Sequence, residues 1–269
     1  MTARERFVRV MRFQRADRVP FWEEGLRADV LSRWGEQEGW KGGDHFELFG
    51  LDRRETFQPD LQALPRYRSR VRTARALERL TARYDPASRR RFPKDWEQRA
   101  AAWATRDYPL ALQPYRGFFL SGLVGEWRSL EDLLYLVADA PEGVARLMDQ
   151  VADLAIGLID RALADVEFDY LHLSEPIASN AGPVIGPGTY RRFVLPALRR
   201  VVEHATSRGI DLILIWSQGN VKPLIPLWVE IGVKALWCAD TVPGGVDYLE
   251  LRRTYGRSSP SSAGWTWRS

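Results

Sequence analysis

The chain has 269 residues, 45% hydrophobic and 28% charged, with one cysteine and a formal net charge of +4. That length suits one large α/β barrel or two ordinary domains, and the composition is that of a soluble globular protein. The weak charge, the lone Cys238 and the lack of a run of roughly twenty apolar residues argue against nucleic acid, a disulfide framework and a membrane span, and fit a reducing cytoplasm.

Thr2-Ala-Arg-Glu5 reads as a capping box, with Phe7, Val10 and Met11 at helical spacing behind it. Asp17–Trp22 is a candidate first strand whose end carries Trp22 and Glu23. Gly25–Gly43 reads as an amphipathic helix and a glycine-rich turn, and Phe46–Gly50 as a short helix end. Glu55–Pro59 is a second strand. Leu77–Tyr84 and Trp96–Ala104 have helical patterns, the latter with Asp95 as its cap. Between them Arg89-Arg90-Arg91 is the densest basic cluster, read as a solvated loop.

Tyr108–Leu120 is a third strand, ending near Phe118–Ser121. Ser129-Leu-Glu-Asp132 is a second capping-box candidate, opening a helix through Val137. Pro141–Leu163 follows as a longer helix, with apolar residues at Val144, Leu147, Met148, Val151 and Leu154. Phe168–Leu173 is a fourth strand, running into Ser174-Glu175-Pro176 and a long polar loop, Ile177–Pro187. Gly188–Arg208 reads as a helix with a basic face at Arg191, Arg192, Arg199 and Arg200. The apolar run Ile210–Trp216 is a fifth strand that breaks into the turn Ser217-Gln218-Gly219-Asn220. Val233–Ala239 is a sixth, ending at Asp240, and Asp247–Tyr255 is a helix. Arg257–Ser269 has neither period.

The repeated unit is strand, polar strand end, helix. About six such units point to an α/β fold of the (β/α)8 TIM-barrel type, incomplete by two units. In parallel α/β folds the chemistry lies at the carboxyl ends of the strands. Glu175 and Asp240 sit at such ends, where a carboxylate acts as general acid or base or simply braces a loop. Trp22 and Trp216 could wall a pocket for a large ring. Glu23, Asn180, Gln218 and Asn220 supply polar contacts, although Gly219 and Asn220 also suit a bare strand-to-helix turn. Alternation places His172 on one face with Tyr170 and Ser174, as a satisfied interior histidine. His45 and His204 read as solvated, and Cys238 as a small buried hydrophobe. Arg27 and Arg116 are the nearest arginines for an acidic substrate.

Thr2-Ala-Arg-Glu-Arg-Phe with Asp17-Arg-Val-Pro20, Phe168–Glu175 with Gly182-Pro-Val-Ile-Gly-Pro187 and Phe193-Val-Leu-Pro196, and Gly209–Asn220 resemble, in order and spacing, the uroporphyrinogen decarboxylase superfamily, with its relatives among corrinoid methyltransferases. The resemblance covers residues 1–257 as one barrel and leaves 258–269 as an irregular tail, a possible truncation or frameshift. It implies a cytoplasmic carboxyl-lyase acting on a tetrapyrrole without a cofactor. Alternatives are a corrinoid-dependent methyltransferase-like protein, with a methyl donor and acceptor, and a non-catalytic barrel with a binding role. A homodimer or a corrinoid protein is the implied partner. Two departures mark the match. Glu23-Glu-Gly-Leu-Arg27 stands where decarboxylases carry Arg-Gln-Ala-Gly-Arg. Trp216 and Gln218 stand where zinc-dependent members carry His and Cys, so no metal site is expected.

Overall fold

The computed structural model describes residues 1–22, 27–37, 49–123, 125, 127–238 and 244–256. Its framework is a parallel sheet of β1 (Glu55–Phe57), β2 (Leu110–Tyr115), β3 (Tyr170–Ser174), β6 (Ile213–Ser217) and β7 (Ala235–Cys238), hydrogen-bonded in that order. Between β3 and β6 lies a small antiparallel hairpin of β4 (Ala178–Ser179) and β5 (Gly182–Pro183). Each sheet strand pairs with the next in sequence and every pairing is parallel, which is the winding of a (β/α) barrel. The described strands do not close into one.

Alternation gives the sheet two faces. Leu112, Leu171, Leu173, Ile213, Ile215 and Leu236 face outward into the main core, beneath the helices Pro141–Leu163 and Leu195–Ser207. The five apolar residues expected on the first of these helices are all buried. Each such aliphatic side chain contributes about 2 kcal/mol on leaving water. The inner face carries a second cluster. Ala111, Tyr170, Leu212, Leu214 and Ala235 lie there with Phe7 and Met11, and with part-buried Trp22, Trp216 and Trp237.

The helix Ala3–Met11 lies against that inner face. Its capping box is present: Glu5 N–H donates to Thr2 and Thr2 N–H to Glu5. Arg4 reaches Asp169 at 2.6 Å, which also accepts from Arg106 and from the Leu110 N–H, so the start of β2 is tied to the residue before β3. Arg6 binds Asp17 and the buried Asp52, and Asp52 also takes Arg18. The hydrogen bond from Arg6 and that ion pair hold the Asp17 carboxyl well below the usual carboxylate range.

Five of the six expected strands form. Residues 17–22 do not pair as a strand, because Pro20 lacks a donor and the Phe21 N–H is taken by the Asp52 carboxylate at 2.8 Å. The third strand stops at Tyr115, and Phe118–Ser121 is a helical turn instead. Ser129 is not a cap: the helix begins earlier, at Trp127, and the Ser129 hydroxyl accepts from the Gly125 N–H. Asp95 precedes its helix without capping it, because its carboxylate accepts from Arg99. The helix expected over 188–208 is two, Pro187–Phe193 and Leu195–Ser207, since Pro196 cannot continue the first ladder. In the arginine cluster only Arg89 and Arg90 are exposed. Arg91 is buried and donates to the carbonyls of Asp60, Gln62, Arg83 and Asp85. His204 is half-buried against Asp160 at 2.9 Å rather than solvated. His45, part of Gly25–Gly43, most of Phe46–Gly50 and the tail 258–269 lie outside the described residues.

Candidate functional site

The loop after β3 decides where the carboxyl ends of the strands can do chemistry. Glu175 shares the parity of Leu171 and Leu173, so its side chain turns outward with theirs. It is fully buried. Its carboxylate accepts from Tyr115 Oη at 2.8 Å, the Phe118 N–H at 2.9 Å and Tyr190 Oη at 3.3 Å. Tyr190 in turn accepts from Trp228 Nε1 at 2.9 Å. Burial pushes the Glu175 carboxyl up to about 7, against the three hydrogen bonds that pull it down. Room for the loop depends on Gly117, at φ +100°. A Cβ there would stand 2.8 Å from Pro176 and 3.2 Å from the Glu175 carboxylate.

The Gly219-Asn220 turn meets the same loop from the other side. Gly219 has φ +70°, and a Cβ would lie 2.6 Å from the Ser179 carbonyl oxygen. The Asn220 N–H donates to that carbonyl at 2.9 Å, while the Asn220 side chain accepts from the Lys222 N–H. Asn180 is exposed at the hairpin tip and Gln218 is exposed on the turn. Cys238 is buried, with Sγ 3.5 Å from the Gly219 carbonyl. Glu23 and Asp240 lie outside the described residues.

The inner face gathers the other candidates. Trp216 pairs in register with Ser174 on one side and Trp237 on the other. Trp22 packs on Phe7 at 5.0 Å and faces Trp237 at 6.2 Å, and the His172 ring stacks on Trp237 at 6.5 Å. The Arg54 guanidinium lies over both indoles, 4.1 Å from the Trp237 centroid and 5.0 Å from that of Trp22. His172 is inside, as its alternation requires, but it is not satisfied. Neither ring nitrogen has a hydrogen-bond partner among the described residues, and neither do Trp22 Nε1 and Tyr170 Oη. Burial, assisted by the Arg54 charge, lowers His172 to about 4, so it is neutral near pH 7 and offers one donor and one acceptor. Buried polar groups are nearly always paired, and several orphans on one aromatic wall mark a surface suited to receive a ligand.

Sequence reasoning missed Arg54 and Trp237. The signal for Trp237 was its period-two spacing from Ala235, and for Arg54 its spacing from Thr56. Of the arginines that were singled out, Arg27 is exposed and paired with Asp29, and Arg116 donates to the Leu120 carbonyl. Neither reaches the inner face through these bonds. Among the described residues no three His, Cys, Asp or Glu side chains cluster as a metal site, and no helix is long and apolar enough to cross a membrane.

Residues 120–249 match the family model described as uroporphyrinogen decarboxylase. A curated uroporphyrinogen decarboxylase from Syntrophotalea carbinolica is 32% identical over 111 residues, 41% of this chain. That match spans only 30% of the relative's own length. Among solved structures, a methyltransferase from Methanosarcina mazei shares the fold at a TM-score of 0.53 and 16% identity, over 88% of this chain and 75% of that one. The sequence match over residues 120–249 is thus to the uroporphyrinogen decarboxylase family, and the methyltransferase shares the fold.

Proposed function

We propose that the protein acts on a tetrapyrrole as a carboxyl-lyase of the uroporphyrinogen decarboxylase type, with the inner sheet face as its binding wall. One observation carries this: Trp22, Trp216 and Trp237 line that face beside buried polar groups on Trp22 and His172 that have no partner among the described residues. Flat aromatic walls suit a large ring, and the orphan groups suit its polar edge. Decarboxylation at a pyrrole needs a proton delivered to the ring, loss of carbon dioxide with its bonding electrons left behind, a proton delivered to the carbon that bore it, and release of the ring proton, so that one proton is consumed for each carbon dioxide lost. No cofactor enters that sequence. His172 is neutral near pH 7, so it serves as a hydrogen-bonding group and not as the acid. Asp240 and Glu23 remain the proton-transfer candidates. Glu175 serves as a positioning residue, since its carboxylate is spent on Tyr115, Phe118 and Tyr190.

The second reading is corrinoid-dependent methyl transfer, favoured by the shared fold with a methyltransferase. A corrinoid, free or on a partner protein, would supply the methyl group. The zinc that activates acceptors in such enzymes does not fit here, because the indole of Trp216 cannot ligate it and the Gln218 amide is a poor donor. A third reading keeps ring binding without turnover. Incubation with uroporphyrinogen and, separately, with methylcobalamin, each followed by chromatography of products, decides among them. Loss of carboxyl groups supports the first reading and demethylation the second. If neither is turned over, both catalytic readings fail.

A further inference from the structure

Among the described residues, the polar groups of the inner face are rich in donors and poor in acceptors. Arg54 and Trp22 Nε1 are donors only, neutral His172 brings one N–H, and the Tyr170 hydroxyl lies beside Arg54 and Thr56. Arg54 contacts two indole faces, and no carboxylate among the described residues pairs with it. The other arginines near this end of the chain differ: Arg6 and Arg18 share Asp52, Arg53 holds Glu55 at 2.6 Å, and Arg4 and Arg106 share Asp169. A guanidinium held between aromatic rings, beside orphan donors and with no carboxylate partner among the described residues, favours an anion with a flat body. Arg54 is itself part-exposed, so such an anion can reach it from solvent.

We propose that Arg54, with His172 and Trp22, forms a subsite for a single carboxylate carried on an aromatic or heteroaromatic ring. The carboxylate takes the guanidinium and an orphan N–H, and the ring lies along Trp22 and Trp237. This deepens the tetrapyrrole reading and rests on it only for the identity of the natural ligand. One ring brings one acidic side chain to Arg54, and the remaining acidic groups stay at the rim. The described inner face has one such guanidinium, so further carboxylates on the same small ring should add nothing.

The probe is benzoate, titrated calorimetrically against the full chain, with benzene-1,3,5-tricarboxylate and benzyl alcohol as comparators. Saturable benzoate binding is expected, with the tricarboxylate no tighter and the alcohol undetectable. Arg54→Met should weaken benzoate by about tenfold or more, the loss expected for a charge-assisted hydrogen bond. Arg54→Lys, which keeps the charge without the fork, should fall between, and covers the case in which the methionine variant does not fold. A crystal soaked in 4-iodobenzoate should show its anomalous peak between Trp22 and Trp237. Absent benzoate binding, equal binding by both variants, or an iodine peak elsewhere overturns the proposal. If benzoate fails while a tetrapyrrole still binds the native chain, the subsite is wrong and the tetrapyrrole reading survives. If benzoate binds as expected and no tetrapyrrole does, the reverse holds.

Discussion

Replacing Glu175 with glutamine should flatten the pH dependence of folding stability across neutrality. Burial raises this carboxyl from an ordinary 4.5 to about 7 in the folded chain, so the folded state holds its proton more tightly than the unfolded state does. The sign follows from proton linkage: the native state is favoured most below about pH 4.5, loses stability as pH rises, and levels off above about pH 7. At about 1.4 kcal/mol per unit, the full span is about 3 kcal/mol. About 2 kcal/mol of it falls between pH 5.5 and pH 8. Glutamine keeps an oxygen for the Phe118 N–H, now 2.9 Å from Oε1, and cannot ionise. Its amide can donate to Tyr115 Oη, which is able to accept. Urea unfolding of both proteins at the two pH values gives the double difference, in which every other titrating group cancels. The native protein should lose about 2 kcal/mol more than Glu175→Gln over that range. Identical losses would show that the carboxylate is solvated or paired in the folded chain, and the reasoning from burial would be wrong.

Gly219→Ala should cost more than Gly209→Ala. Both have positive φ, which costs about 1–2 kcal/mol for a residue with a Cβ, but only at Gly219 would that Cβ strike backbone, and urea midpoints read the excess. Asp52→Ala should destabilise by about 2 kcal/mol, because it takes from the buried Arg6 one of its two carboxylates and frees Arg18 and the Phe21 N–H. The loss should persist in high salt, and a salt-sensitive effect would assign the network to the surface. His172→Phe should stabilise the chain, and more so in acid: a histidine held at about 4 against an ordinary 6.5 costs about 2 kcal/mol at pH 5. Proton NMR of the native protein should show the His172 ring untitrated down to about pH 5, and a midpoint near 6.5 would contradict the burial argument.

Much of the framework was legible because periodicity survives tertiary packing. The heptad-like spacing of Val144, Leu147, Met148, Val151 and Leu154 fixes one long helix, and the apolar runs around Leu171 and Ile213 fix two central strands. The site was less legible, because a strand end has two sides. Counting by two from Leu171 and Leu173 turns Glu175 toward the helices, whereas His172 and Ser174 turn inward. That count was available in the sequence, but the assignment of faces needs the neighbouring strands. Arg54 was missed for a different reason, since its spacing from Thr56 gives only its face. It precedes β1, and only the reach of its side chain toward β7 puts it on the wall with Trp237. Arg91 was misread because charge alone suggests solvent, while four carbonyls from two loops converge on it.

The two glycines at the strand ends have a shared consequence. Gly117 follows β2 and admits Glu175 and Pro176; Gly219 follows β6 and admits Ala178 and Ser179. The segment from Ser174 to Gly182 is therefore gripped by both neighbouring strand ends, through the Phe118 N–H on one side and the Asn220 N–H on the other. A turn that read as a source of polar contacts acts as one jaw of a clamp. Two jaws on one loop should be energetically coupled. If Gly117→Ala frees the loop, the loop can then yield to a Cβ at position 219, and the double variant should cost less than the sum of the singles. A coupling of about 1 kcal/mol is the expected scale for groups that share a partner. Simple additivity, measured by urea unfolding of the four proteins of the cycle, would mean that the two glycines hold separate loops and that the clamp does not exist.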